Sequence, residues 1–213
     1  MKVTAALFVC VILLALFLFF ENNRSDARSP VVKINKLLHE EDNSIADALR
    51  FKTISAKQFV KNNGYNQQVC FLIDMKIRSG SNRFFVYDLK NDSVVQSGVV
   101  THGRCNERWL SGRKYGNEPG CGCTSLGRYK IGNSYMGRFG LAYKLHGLDS
   151  TNNNAFKRFV VLHAHDCVPE NEVWSDICQS DGCPTVSPGF LQQLKAIINE
   201  SRKPILLWIY ESK

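Results

Sequence analysis

Residues 163–186 read HAHDCVPENEVWSDICQSDGCPTV, and the reading of this stretch decides the rest of the chain. It holds His163, His165 and three cysteines, Cys167, Cys178 and Cys183, the last followed by proline. Three chemistries use such residues: a nucleophilic thiol with its histidine, a metal site, or a disulfide knot. The preceding residues, RFVVLHAHD, alternate as a strand with Phe159, Val161, His163 and His165 on one face and Val160 and Leu162 on the other. Such a strand carries apolar packing up to His163 and delivers polar groups at its exit, a rigid place to present a catalytic side chain. Ser180-Asp181-Gly182-Cys183-Pro184 then reads as a turn feeding a helix. Gly182 permits a tight backbone there, and Pro184 stiffens the chain after the thiol. A thiol at a helix N-terminus gains thiolate character from the dipole and nearby N–H groups. A histidine within reach takes its proton, and the same N–H groups can hold an oxyanion.

Metal binding is the competing reading, because His-x-His-x-Cys offers ligand types that zinc favours. No Cys-x2-Cys pair supports it: four residues separate Cys178 from Cys183, and one separates Cys121 from Cys123. No metal is therefore expected. GRYKIG and GRFG are glycine-rich without the phosphate-loop pattern, so no nucleotide or other cofactor is expected either.

Outward from this stretch, residues 69–165 carry short runs rich in β-branched and aromatic residues: VCFLIDMKI, RFFVYDLK, SVVQSGVVT, GRYKIG, LAYKLHG and RFVVLHAH. Turn-forming residues bound each run, and SGSN at 79–82 and KND at 90–92 suit hairpins. Residues 187–200 return to helical spacing, with Phe190, Leu191, Leu194, Ile197 and Ile198 on one side, and PILLWIYE closes as a buried strand. The expected fold is mostly β in an α+β arrangement: an antiparallel sandwich or open barrel with a few helices, spanning 65–213. Ahead of it, 21–64 reads as a polar linker ending at Pro30 and a small helical lead-in. Ser44 and Ser55 are its candidate N-caps and Gly64 its C-cap.

The first twenty residues differ in kind. VTAALFVCVILLALFLFF, residues 3–20, follows Lys2 without a charge and suits a membrane anchor or the apolar part of a secretory signal. Either places the remainder outside the cytoplasm. The chain carries 27 Lys and Arg against 19 Asp and Glu, a net +8, which suits an anionic envelope polymer. The basic residues are scattered, which argues against nucleic acid. Setting Cys10 aside, seven cysteines remain, and an odd number in an exported domain predicts one free thiol beside up to three disulfides.

Several segments, in order, carry a resemblance to one family. IDMKIRSGSNRFFVYDLKND (73–92) resembles its opening hairpin, and VVTHGR (99–104) its Val-x-x-His-Gly strand. TSLGRYKIGNSYMGRFGLAYKLHGLD (124–149) resembles its Ser-Leu-Gly, Tyr-x-Gly-x-x-Gly and Leu-x-Gly-Leu run. NNNAFKRFVVLHA (152–164) and SDGCPTV (180–186) resemble its histidine strand and cysteine loop. The family is that of the murein L,D-transpeptidase catalytic domain, a YkuD-like branch. The resemblance covers about residues 69–210. It implies a cysteine acyltransferase of peptidoglycan stem peptides in the cell envelope. Cys183 would be the nucleophile and His163 the base. Ser180 and Gly182 would shape the oxyanion pocket, and His102 would support the site. A hydrolytic L,D-carboxypeptidase and a non-catalytic wall-binding module on the same fold are the alternatives. Asp181 stands where the wider family has histidine; a carboxylate there disfavours a bare thiolate, yet could orient His163 if turned inward. Cys167 and Cys178, an eleven-residue step apart, are candidates to close the loop between His163 and Cys183 as a disulfide. His165 reads as site rim or structural; His39 and His146 read as structural or exposed.

Overall fold

The computed structural model describes residues 30–213, with side chains from residue 45 onward. The apolar segment 3–20, Cys10 and the linker up to Ser29 lie outside the described residues. Among the described residues no helix is long and apolar enough to cross a membrane. The chain divides into two compact units, Met1–Asp47 and Ala48–Lys213.

Helix α1 runs Pro30–Asn62 without interruption. The helical lead-in is therefore one helix, and Ser44 and Ser55 lie inside it rather than capping it. Its end follows the sequence: Gly64 takes φ +73°, and the Tyr65 N–H returns to the Val60 carbonyl at 3.1 Å, the left-handed stop that glycine permits.

Eight strands follow: β1 Val69–Asp74, β2 Phe84–Asp88, β3 Ser93–Gly98, β4 Gly127–Gly137, β5 Gly140–Gly147, β6 Val161–Ala164, β7 Thr185–Val186 and β8 Leu206–Tyr210. Helix α2, Pro188–Glu200, lies between β7 and β8. One sheet holds all eight in the order β3-β2-β1-β8-β4-β5-β6-β7. It is mixed, not purely antiparallel: β1 pairs parallel with β8, and β6 parallel with β7. The expectation of antiparallel pairing came from hairpin signals, which report neighbours in sequence. The two parallel pairs are made by long connections that leave no turn signature. The sheet also curls. Val100, just past edge strand β3, bridges Val186 of the opposite edge strand β7, so the barrel is the closer of the two expected shapes.

The closing PILLWIYE strand is central, flanked by β1 and β4, with Leu206 and Leu207 fully buried. Phe71, Phe84, Val86, Tyr129, Leu145 and Leu162 form the core that α2 covers with Phe190, Leu191 and Leu194. Gly98 makes room for this: a Cβ there would stand 2.5 Å from the Phe190 ring.

Candidate active site

The histidine strand starts later than its alternation suggests. β6 begins at Val161; Phe159 has φ +56° and is 82% exposed, in the turn that precedes the strand. The side-chain parity of Leu162 and His163 is nevertheless as expected, Leu162 in the core and His163 on the opposite face. His163 pairs in register with Ala142 on one side and Thr185 on the other. Its Nδ1 faces the Ala164 carbonyl at 3.0 Å, which places the proton on Nδ1. Nε2 is then an acceptor, and the Thr185 hydroxyl lies 3.0 Å from it. Burial holds the imidazole below its ordinary pKa, and His165 pushes in the same direction, against the Ala164 bond. The ring is neutral at neutral pH, and its Nε2 lone pair faces the Thr185 hydroxyl. Phe139, from the tip of the β4–β5 hairpin, stacks on it at 5.1 Å and stands edge-on to His165.

Cys183 sits two residues before β7. Its Sγ receives the Val161 N–H at 3.5 Å and lies 3.8 Å from the Phe159 carbonyl. Among the described residues His163 is not a hydrogen-bond partner of this sulfur. Burial raises the thiol pKa; the Val161 N–H and the Arg158 guanidinium lower it, and Asp181 raises it. The helix-dipole argument does not apply here. α2 starts at Pro188 behind its N-cap Ser187, with β7 intervening, and Glu170 occupies that terminus by accepting from the Gly189 N–H at 2.8 Å and Ser187 Oγ at 2.6 Å.

The turn around the thiol is held from several sides. Ser180 Oγ donates to the Cys183 carbonyl at 2.7 Å and accepts the Gly182 N–H at 3.2 Å. Gly182 has φ +108°, and a Cβ would meet the Cys123 carbonyl at 2.6 Å, so only glycine fits. The Ser180 main chain bonds to both His102 and Arg104, at 2.9 and 2.8 Å. His102 thus contributes through its backbone. Its ring is buried away from the thiol, with Nδ1 3.2 Å from Arg83, Nε2 without a partner and a pKa pulled down to about 3 by burial and by Arg113 and Arg83. Asp181 points outward, 73% exposed, and pairs with Arg104 at 2.7 Å rather than with His163.

Two disulfides frame the site. Cys167–Cys178 joins the loop between His163 and Cys183, as its spacing allowed, so those sulfurs are not metal ligands. Cys105–Cys123 ties the segment that follows His102 to the chain behind Gly182. Among the described residues three cysteines are free, not one: Cys183, Cys121 and Cys70, the last buried in β1 with its pKa pushed up to about 12 by burial. The odd count implied at least one free thiol; it could not show that a third possible pair stays open.

Sequence reasoning passed over Arg158, Thr185 and Phe139. Arg158 bonds the Cys123 carbonyl at 2.5 Å, the Gly116 carbonyl at 3.0 Å and Ser125 Oγ, and lies beside Gly182. It was visible as the arginine of the run NNNAFKR; Phe139 carried no signal beyond its place in a hairpin. Cys183, His163, Thr185, Phe139 and Trp109 wall one cavity of about 490 Å³, with Arg104 and Arg108 at its rim. It is the right size for a small substrate, and a thiol and a neutral imidazole both line it.

A comparison with curated proteins gives no match. Solved structures with a similar course include the "Ldtfm-avibactam carbamoyl enzyme", at 13% identity and TM-score 0.43, covering 70% of this chain and 51% of that one. Others are an L,D-transpeptidase from Mycobacterium smegmatis (10% identity, TM-score 0.39, covering 67% and 58%) and the helical cell shape determining protein Pgp2 from Campylobacter jejuni (13%, 0.42, 68% and 48%). The chain thus spans about half the length of these structures. The sequence profile of the L,D-transpeptidase catalytic domain matches residues 41–210, nearly all of the unit that builds this cavity, and the protein belongs to that family.

Proposed function

We propose that the protein is a peptidoglycan L,D-transpeptidase working through a thioester on Cys183. The observation that carries the reading is the shared cavity, which Cys183 and a neutral His163 with its Nε2 free of a proton both line. With substrate bound, the thiol turns from the Phe159 carbonyl and gives its proton to His163. Sγ attacks the carbonyl of the L,D bond in a stem tetrapeptide. The Sγ–C bond forms, the C–N bond breaks, and terminal D-alanine leaves with the proton returned by His163. An amine of a second stem then takes the acyl group; water taking it instead is the L,D-carboxypeptidase outcome. Ser180 and Gly182 keep the turn in place, and Arg104 and Arg108 suit a carboxylate-bearing substrate. The wall substrate places the domain in the envelope, with residues 3–20 as anchor or export signal.

The raised thiol pKa and the contact with Phe159 favour one further reading, a wall-binding module in which Cys183 rests unused. Intact-mass measurement after incubation of the full-length protein with a carbapenem decides between them. We expect one adduct, absent from Cys183→Ala, and a His163→Ala variant acylated on the order of 10²–10⁴ times more slowly. A folded protein with Cys183 free and no adduct would leave the binding module standing.

A further inference from the structure

A second cavity, about 560 Å³, lies outside the thiol pocket. Lys130, Lys144 and Lys203 line it, with His146 and Phe156, and no Asp or Glu does. The ion pairs among the described residues are Lys57–Asp92, Arg104–Asp181 and Arg128–Asp149, so none of the three ammonium groups is neutralised by a carboxylate. Three like charges around one hollow, with no carboxylate among its lining residues, give it a positive potential that attracts an anion.

The local backbone is shaped for the hollow. Lys130 and His146 face each other across β4 and β5, and beyond them the register shifts, so Gly132 and Asn133 together oppose Lys144 alone. This is a bulge, the usual device for re-aiming side chains beside a functional site. It seats the His146 ring, because a Cβ at Gly132 would stand 2.6 Å from Nε2. His146 stacks on Phe156 at 5.2 Å, and Phe156 is 54% exposed, leaving a flat apolar platform open to solvent. The Lys144 ammonium sits over Phe156 and Tyr135, at 5.8 and 5.7 Å, held at the mouth. Burial, with Lys130 and Lys144, keeps the His146 pKa below its ordinary value, so it serves as a hydrogen-bonding group and not as a fourth cation.

The layout selects among anions. The lysines stand on three separate elements, β4, β5 and the chain before β8, and do not converge on one point. No arginine fork lines the cavity, and α2 contributes Ile198 and Asn199 from its C-terminal end, where the dipole is negative. A compact phosphate is poorly served there. An extended chain with spaced carboxylates is well served, with the Asn133 and Asn199 amides available to its peptide groups. The cleft shares no lining residue with the thiol cavity, but one strand pairing links them: Lys144 pairs with Val161, whose N–H reaches Cys183 Sγ at 3.5 Å.

We propose that this cleft is a second binding site, which takes an acidic, carboxylate-bearing peptide chain. Its coupling to chemistry rests on the reading of Cys183 as the acyl-accepting thiol; the binding itself does not.

The test uses full-length protein in nonionic detergent, in a Cys183→Ala background that prevents turnover. Calorimetry measures the affinity of a synthetic Ala-Glu-Glu-Ala peptide and of its Ala-Gln-Gln-Ala twin. We expect the acidic peptide to bind more tightly than its twin, and the combined variant Lys130→Gln, Lys144→Gln, Lys203→Gln to bind it about tenfold more weakly. The matching set of Lys→Arg changes should retain most of the affinity, which separates lost charge from lost folding. Equal affinity for both peptides, or unchanged affinity in the Gln set, overturns the proposal. So does displacement of the peptide by equimolar inorganic phosphate. The carbapenem adduct on unmodified protein is scored separately, so the cleft can fail while the thioester reading stands, and the reverse.

Discussion

At Cys183 four groups contend over one proton. Burial and Asp181 hold it on the sulfur, while the Val161 N–H and Arg158 draw the thiol toward ionisation. Asp181 is the group at the surface, and its pairing with Arg104 at 2.7 Å leaves it free of structural duty inside the pocket. Replacing it tests the electrostatics with little cost to the fold, since exposed ion pairs contribute about 0–1 kcal/mol. Asp181→Asn removes a negative charge that raises the thiol pKa and leaves Arg104 unneutralised, and both act in the same direction. The midpoint of the pH profile for alkylation of Cys183, followed by peptide mass mapping, should move to lower pH. A midpoint that stays put, or rises, would show that the carboxylate is screened from the sulfur. Cys183 and His163 were legible in the sequence as a candidate pair through the ordered run of resembling segments, since the Gly-Cys turn and the histidine spacing alone suit a structural cysteine equally well, and both side chains line one cavity. The direction in which Asp181 points was not, because an exposed side chain is aimed by its partner, and Arg104 lies far away in sequence.

The elements around the thiol work as a stack of short tethers rather than as a helix terminus. Ser180 closes the turn on itself, the bridge between Gly103 and Ser180 holds it from one side, and the Cys123 carbonyl backs Gly182 from the other. Gly182→Ala places a Cβ 2.6 Å from that carbonyl and demands φ +108° of a residue that resists it. We expect a loss of about 2 kcal/mol or more, a melting point several degrees lower, and a carbapenem acylation rate that falls further than stability alone requires. A variant that melts and acylates as the parent does would mean that the turn has slack. Element identities were largely readable: the hairpin of β1 and β2, the amphipathic α2 and the central β8 all follow from period and turn chemistry. What escaped is what lies between elements. Ser44 and Ser55 are good caps that the chain ignores, because a weak local stop yields when helix can continue. The parallel partnership of β6 and β7 depends on a long connection whose course no local pattern encodes.

For the molecule as a whole, His102, whose main chain holds the thiol turn, has its ring in a cationic cluster. His102, Arg83 and Arg113 crowd together there, and the imidazole is kept neutral, its pKa down at about 3. In the unfolded chain the same ring titrates near ~6.5. Between these two values the unfolded state holds a proton that the native state refuses, so stability is lost as pH falls through about 6.5 and toward 3. Urea denaturation across pH 7 to 4 should show this slope, and His102→Gln should flatten it while lowering stability overall. An unchanged slope would assign the acid sensitivity to other groups.

The bridge between Val100 and Val186 has a further meaning. A barrel closed along one line has a weakest line, and here Thr101, His102 and Arg104 run along it, holding Thr185 and Ser180 by their main chains. The turn that carries Cys183 is thus fastened to the seam and not to the interior strands. Parting that seam would release the turn that carries Cys183 while β1, β8 and β4 stay paired, so the turn and the interior of the sheet are fastened separately.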